Sequence, residues 1–241
     1  MTKIYKIFFL FFFFSLIGFS QISKIHYIPP LTVDIEGNSI PEDQYLYLST
    51  PSTQDVSGTI TILSSGQQIT FASLSQGNLR NDNPIAYELN SGGGTLDNRL
   101  FVNPKDTASS SGLLALNAGF IVEADCPIYV SVRYNAGAQA GAFTSKGLAA
   151  LGTEFRTGMM LNGSQDVGHG NNNGTSSYTL NFFSVMATED DTLIEIDLPN
   201  ASNSALGGIS SYYSFNAGNK IQKALQKHES IIIAQDFGMA Q

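Results

Sequence analysis

Short alternations of apolar and polar residues recur along this chain, separated by clusters of Gly, Asn, Ser and Pro, and helical spacing is nearly absent. "YLYLS" (45–49) alternates strictly, and "GTITIL" (58–63) puts Ile60 and Ile62 on one face. "SSGQQ" then turns the chain into "ITFASL", which predicts a hairpin. "GFIVEA" and "PIYVSVRY" read as a further strand pair divided at Asp125, Cys126 and Pro127, with Pro127 at the start of a strand, where its missing N–H is harmless. "YTLNFFSVMA", "TLIEIDL" and "SIIIAQ" follow, while "KIQKALQKH" (220–228) fits either a helical turn or a polar edge strand. The pattern predicts an all-β protein built from antiparallel, sandwich-like units. A propeller-like arrangement of the same strands is the alternative.

Two blocks align. In "LYLSTPSTQDVSGTITIL" (46–63) and "LNFFSVMATEDDTLIEID" (180–197), Leu46 and Leu48 fall on Leu180 and Phe182, and Ile60 and Ile62 fall on Ile194 and Ile196. "SLSQGN" (73–78) and "SFNAGN" (214–219) match at a slightly longer spacing, which the loop around "NASNSALGG" accommodates. The expectation is two consecutive β modules related by duplication, 21–150 and 151–241. The first is completed by "GFIVEADCPIYVSVRY"; the second lacks a counterpart before Gln241, so it is expected to be truncated and the chain to continue into further domains of a larger protein.

The first twenty residues stand apart. Lys3 and Lys6 precede an apolar run from Ile7 to Phe19, and Gly18, Phe19 and Ser20 offer small residues where a signal peptidase reads, with Gln21 as the mature start. The run is short of the roughly 20 residues that cross a bilayer as a helix. Segment 1–20 is expected to be a cleaved secretory signal, leaving no membrane insertion afterwards and a secreted or cell-surface product. Its loss moves the formal net charge from −8 to −10, which argues against nucleic acid or anionic membranes as partners. With 16 Phe, 10 Tyr and 42% hydrophobic residues, the mature chain has ample material for a core. The lone Cys126 precedes an apolar strand and reads as a buried thiol.

Only 13% of the residues are charged, yet five acids crowd into "VMATEDDTLIEIDLP" (185–199). Glu189, Asp190 and Asp191 are candidate cation ligands, since Ca²⁺ favours oxygen-rich loops. The spacing of a calcium loop is missing, however, and consecutive side chains of an extended segment diverge. The stronger expectation is a hairpin turn, with Glu195 and Asp197 on the solvent side of its second strand. His26, His169 and His228 are far apart and lack the company of a zinc site. No nucleophile elbow or phosphate loop is present, so neither catalytic residues nor a cofactor is expected. "NGSQDVGHGNNNGTSS" (162–177) reads as a polar surface connection or a recognition loop carrying Asn162, Asp166, His169 and Asn172.

"GFIVEADCPIYVSVRYNAGAQAGAFTSKGLAALGTEFRTGMMLNG", followed by "NFFSVMATEDDTLIEIDLP" and "ESIIIAQDF", resembles the IgGFc-binding protein N-terminal family across about 25–237. The marks are AD-x-P-I-x-V (124–130), G-T-E-F-R (152–156) and A-T-E-D-x-T (187–192), all strand-and-turn patterns. The version it resembles most opens large, type 9-secreted surface proteins of gliding bacteria. The resemblance implies a β-rich, non-catalytic module for adhesion or recognition of an extracellular protein or glycan. A spacer or assembly module is the alternative, and a carbohydrate-active enzyme a more distant one. In that setting Asp106-Thr107-Ala108 and Asp191-Thr192-Leu193 resemble acceptor sites for O-glycans, at Thr107 and Thr192.

Overall fold

The computed structural model describes residues 22–32, 41–90, 99–103, 108–109, 112–136, 139–157, 180–197 and 220–236. In chain order the strands are β1 (Ser23–Ile28), β2 (Leu31–Thr32), β3 (Gln44–Ser49), β4 (Gly58–Ile62), β5 (Gln67–Thr70), β6 (Ile85–Asn90), β7 (Phe101–Val102) and β8 (Ala108–Ser109). They continue as β9 (Gly112–Leu113), β10 (Phe120–Ala136), β11 (Gln139–Ser145), β12 (Leu180–Met186), β13 (Thr192–Asp197), β14 (Lys220–Leu225) and β15 (Ser230–Asp236). The described residues hold no α-helix, so the all-β expectation is met.

The architecture turns on β10. The sequence reading divided this stretch into two paired strands, but it is one strand of 17 residues. Its inward positions keep one parity throughout: Phe120, Val122, Ile128, Val130 and Val132 are completely buried, and Ala124, Cys126 and Tyr134 pack against the same core. A strand too long for one sheet is shared between two. Its first half pairs with β4 on one side and β1 on the other; its second half pairs with β3 and β11. β5 extends the sheet beyond β4 as the expected hairpin, and β6 extends it beyond β3. The sheet therefore curls as a half-barrel around Leu46, Leu48, Ile60, Ile62, Ile85 and the inward row of β10. Burying each such side chain contributes about 1.5–3 kcal/mol.

Changing partners in mid-strand leaves backbone groups off the ladder, and polar side chains take them up. Thr50 Oγ1 donates to the Pro127 carbonyl at 3.1 Å, while the Asp125 N–H donates to Ser57 O and Asp125 Oδ1 accepts the Ser57 N–H. Pro127 sits where the ladders break, so its missing donor is not needed. On the β1 side the register slips between Ser23 and Ile25, and His26 fills the gap. Its Nε2 lies 2.9 Å from Ile128 O and 3.2 Å from Ser23 O, and its Nδ1 lies 3.0 Å from Ser145 Oγ. Two carbonyls at Nε2 require the proton there, which leaves Nδ1 to accept from the Ser145 hydroxyl. His26 is thus a satisfied neutral core histidine. Gly58 is required for packing: a Cβ there would stand 2.4 Å from both Glu123 O and the Phe71 ring.

The second half meets the same problem with different residues. β12 pairs with β15 and β13 with β14, all antiparallel. The expected β12–β13 hairpin does not form. Both strands run along one partner segment, and the ribbon bends where residues 187–191 face 226–229, with a one-residue register slip. "KIQKALQKH" supplies strand β14 and the turn before β15. β14 and β15 pair with β13 and β12, as β10 pairs with β4 and β3. Ile231 and Ile233 enter a second cluster with Leu113, Ala187, Ile221 and Leu225, and Ile232 is also completely buried. Burial on both faces explains the unbroken Ile triplet. The halves meet where Leu116 and Ser230 exchange backbone hydrogen bonds of 2.8 and 2.9 Å.

Two expected outcomes follow from the shared strand. Gly58→Ala should cost about 1–3 kcal/mol, seen as a lower urea midpoint at unchanged slope. Burial lowers the His26 pKa, and this outweighs the upward pull of its hydrogen bonds to the Ile128 and Ser23 carbonyls. The unfolded chain therefore binds the proton first, and stability present above pH 6.5 declines as pH falls below it. His228 shifts in the same direction, also mainly through desolvation. His26→Gln should be less stable at pH 7 and show a flatter, though not flat, decline between about pH 6.5 and 5.

Candidate functional site

The acidic stretch forms the bend of the second ribbon. Asp190 Oδ1 accepts the Lys227 N–H at 3.1 Å, Asp191 Oδ1 accepts from Gln226 Nε2 at 3.0 Å, and Glu229 Oε2 accepts the Gln226 N–H at 2.7 Å. Thr192 Oγ1 donates to Glu189 O at 2.7 Å. The backbone closes across the bend, with the Ala187 N–H donating to Glu229 O and the His228 N–H to Ala187 O. Asp191 (φ 52°) and His228 (φ 71°), one on each facing segment of the bend, are left-handed. Asp tolerates that region because its short side chain bonds locally. Asp190 and Asp191 thus spend an oxygen on the neighbouring loop, and Glu189 points to solvent as an exposed residue. Among the described residues no three Asp, Glu, His or Cys side chains converge as a metal site would require.

The other sequence candidates divide cleanly. Thr192 opens β13, half-buried and with its hydroxyl engaged. Thr107 and the loop residues Asn162, Asp166, His169 and Asn172 lie outside the described residues. Glu195 is solvent-exposed opposite Gln222, and its carboxyl is held below the ordinary value by hydrogen bonds from Lys220 first and Gln222 second. Cys126 packs against the main core, partly buried.

Two surface features escaped the sequence reading. One is a cleft of about 420 Å³ beside the bend in β10, lined by Ser57, Thr59, Thr70, Asn78, Glu123 and Asp125. Its floor exists because Gly58 lets the Phe71 ring approach β4. Its rim is fixed by the buried pair Val56 and Leu79, whose backbones hydrogen-bond at 2.9 Å, and by Asn78 Nδ2 donating to Asp55 at 2.9 Å. Gly58, Ala72 and Ala124 complete the lining, and the surface exposed to the cleft is mainly apolar. The other is an apolar step just after β11, where Leu148, Leu151 and Phe155 are 53%, 45% and 60% exposed. Single exposed apolar residues are ordinary; here three fall within eight positions. Phe155 is the aromatic of the G-T-E-F-R motif, so the signal was in the sequence; only its exposure was not.

The model of the family described as IgGFc binding protein matches residues 141–239, from within β11 to just past β15. That agrees with the resemblance read from the motifs. No curated protein and no solved structure matches this chain.

The bend gives a direct test of what its acids do. Asp191→Gly should leave the melting temperature within about 2 °C, because glycine relieves the left-handed backbone while one exposed hydrogen bond is lost. Asp191→Val should cost about 1–3 kcal/mol through strain at the same position. Millimolar Ca²⁺ should move the wild-type midpoint by less than about 1 °C; a saturable rise removed by Asp190→Asn would instead establish a cation site.

Proposed function

With the IgGFc-binding match over residues 141–239 as its premise, we propose that this chain is a non-catalytic, extracellular binding module that engages a protein ligand. Export follows from the segment 1–20, cleaved before Gln21, and places the module in the secreted or cell-surface space where such a ligand is met. Among the described residues no helix is long and apolar enough to cross a membrane. The observation that carries the reading is the position of the exposed step. Leu148, Leu151 and Phe155 lie within the matched segment, on the 3₁₀ turn Gly147–Ala150 and the irregular stretch that follow β11, a strand paired with β10. Exposed aromatic and aliphatic anchors on a rigid support are what protein interfaces concentrate their energy on. Glu154 and Arg156 flank the Phe, both strongly exposed, and suit a polar rim.

The test uses the exported chain. N-terminal sequencing of the secreted product should read from Gln21; recovery with Met1 intact would remove the export reading. Immobilised, it should bind IgG Fc or another member of an extracellular-protein panel saturably, and the triple variant Leu148→Ser, Leu151→Ser, Phe155→Ala should weaken binding at least about tenfold, or 1.4 kcal/mol. A panel without saturable binding, or binding indifferent to the triple change, would overturn the proposal.

A further inference from the structure

Strand alternation sends Ile121 to the outer side of the sheet, between the inward Phe120 and Val122, yet it is only 4% exposed. Its register partner on β1 is Tyr27, half-buried on the same outer side, and Glu123 follows on that side of β10. This part of the outer face is therefore covered, and the bend of the second ribbon reaches it. The His228 ring lies 6.2 Å from the Tyr27 ring, centroid to centroid, with the planes tilted by 41°. The turn itself presents that ring to β1: His228 is left-handed (φ 71°), and its N–H donates to Ala187 O at 2.8 Å. Two residues on, Ser230 exchanges backbone hydrogen bonds with Leu116, just ahead of β10.

Charged groups surround this contact unevenly. Among the described residues Glu123 faces His228 from β10, Asp190 from the opposite segment of the bend, and Lys227 from its own turn. Tyr27 faces it from β1 and stays a neutral phenol, because burial first and Glu123 second raise its pKa. His228 is the side chain of the contact whose ordinary pKa lies between pH 5 and 8. Desolvation lowers that pKa and Lys227 adds to the fall, while Glu123 and Asp190 oppose it without reversing it. With the bend released, the imidazole returns to its ordinary value of 6.5, so the released form takes up the proton first. A contact complete above pH 6.5 is therefore weakened as pH falls below it. We propose that the docking of this bend on the outer face of β1 and β10 is a pH-sensitive junction, closed with His228 neutral against Tyr27 and opened when that ring takes a proton. Opening uncovers Ile121 and Tyr27, so mildly acidic surroundings loosen one half of the module from the other. The junction is separate from the exposed step at Leu148–Phe155 and works without a ligand there.

The Leu116 and Ser230 amides, which donate across the junction at 2.8 and 2.9 Å, report on it directly. Their hydrogen-exchange protection, corrected for intrinsic rates, should be followed by NMR in the full exported chain at about pH 7.5 and 5.5. At the lower pH a released imidazole of pKa 6.5 is protonated about ten to one, so protection of both amides should fall several-fold, to a limit of about tenfold. His228→Phe keeps a ring against Tyr27 without a titrating group and should cancel most of that fall, whereas His26→Gln should leave it in place. His228→Asn, suited to left-handed backbone, takes over the test if the Phe variant does not fold. Protection unchanged between the two pH values, or a fall that persists in a folded His228 variant, would overturn the proposal. So would protection equal to that of the β3–β10 ladder amides at both pH values, because the two amides would then exchange only when the whole chain unfolds.

Discussion

Everything described in the first half depends on one strand being a member of two sheets. β10 is buried on its inward side from Phe120 to Val132, and it takes four partners by exchanging both neighbours near Pro127. That exchange would strand backbone carbonyls in the interior, at about 1–3 kcal/mol for each one left unsatisfied. His26, Thr50 and the Ser57–Asp125 pair prevent this. Against a typical net stability of about 5–15 kcal/mol, such stitches decide whether the half-barrel forms at all.

The bend in the second ribbon shows the same constraint under different solvation. There the loops lie at the surface, so carboxylates brace them: Asp190 and Asp191 accept from the facing turn and Glu229 from Gln226 within its own, while their remaining lone pairs stay hydrated. A carboxylate in the position of His26 would lose that hydration and be costly to bury. The groups to be met there are the Ile128 and Ser23 carbonyls, which need a donor, and a neutral imidazole supplies one without a charge. The concentration of acids in "ATEDDT" is thereby explained as a consequence of where the ribbon bends.

Curling the sheet about β10 also sets where binding surfaces lie. The concave side is filled by core residues, so among the described residues the surfaces open to a ligand include the outer faces, the cleft beside the bend and the chain leaving β11. The cleft borders β4 and β10, each hydrogen-bonded on both sides, and the chain leaving β11 follows a strand paired with β10. Pre-organisation of this kind lowers the entropic cost of binding, and it suits a module whose work is recognition.

Sequence periodicity by itself determined the strand class, the alternation along β3 and the shared face of Ile60 and Ile62 on β4, because a period of two is a local property of the chain. The motifs also determined the family resemblance. What only the tertiary structure decided was which strands pair. "PIYVSVRY" continues "GFIVEA" instead of folding back on it, and β12 runs on into β13 along a common partner, since a break in pattern looks the same whether the chain reverses or bends. The role of His26 was equally illegible: its partners Ile128 and Ser145 lie more than a hundred residues away, and only packing brings them to the ring. Tyr45 and Tyr47 were visible as alternate residues, but the presence of Arg133 and Glu88 beside them depends on strand order, which composition and spacing do not encode.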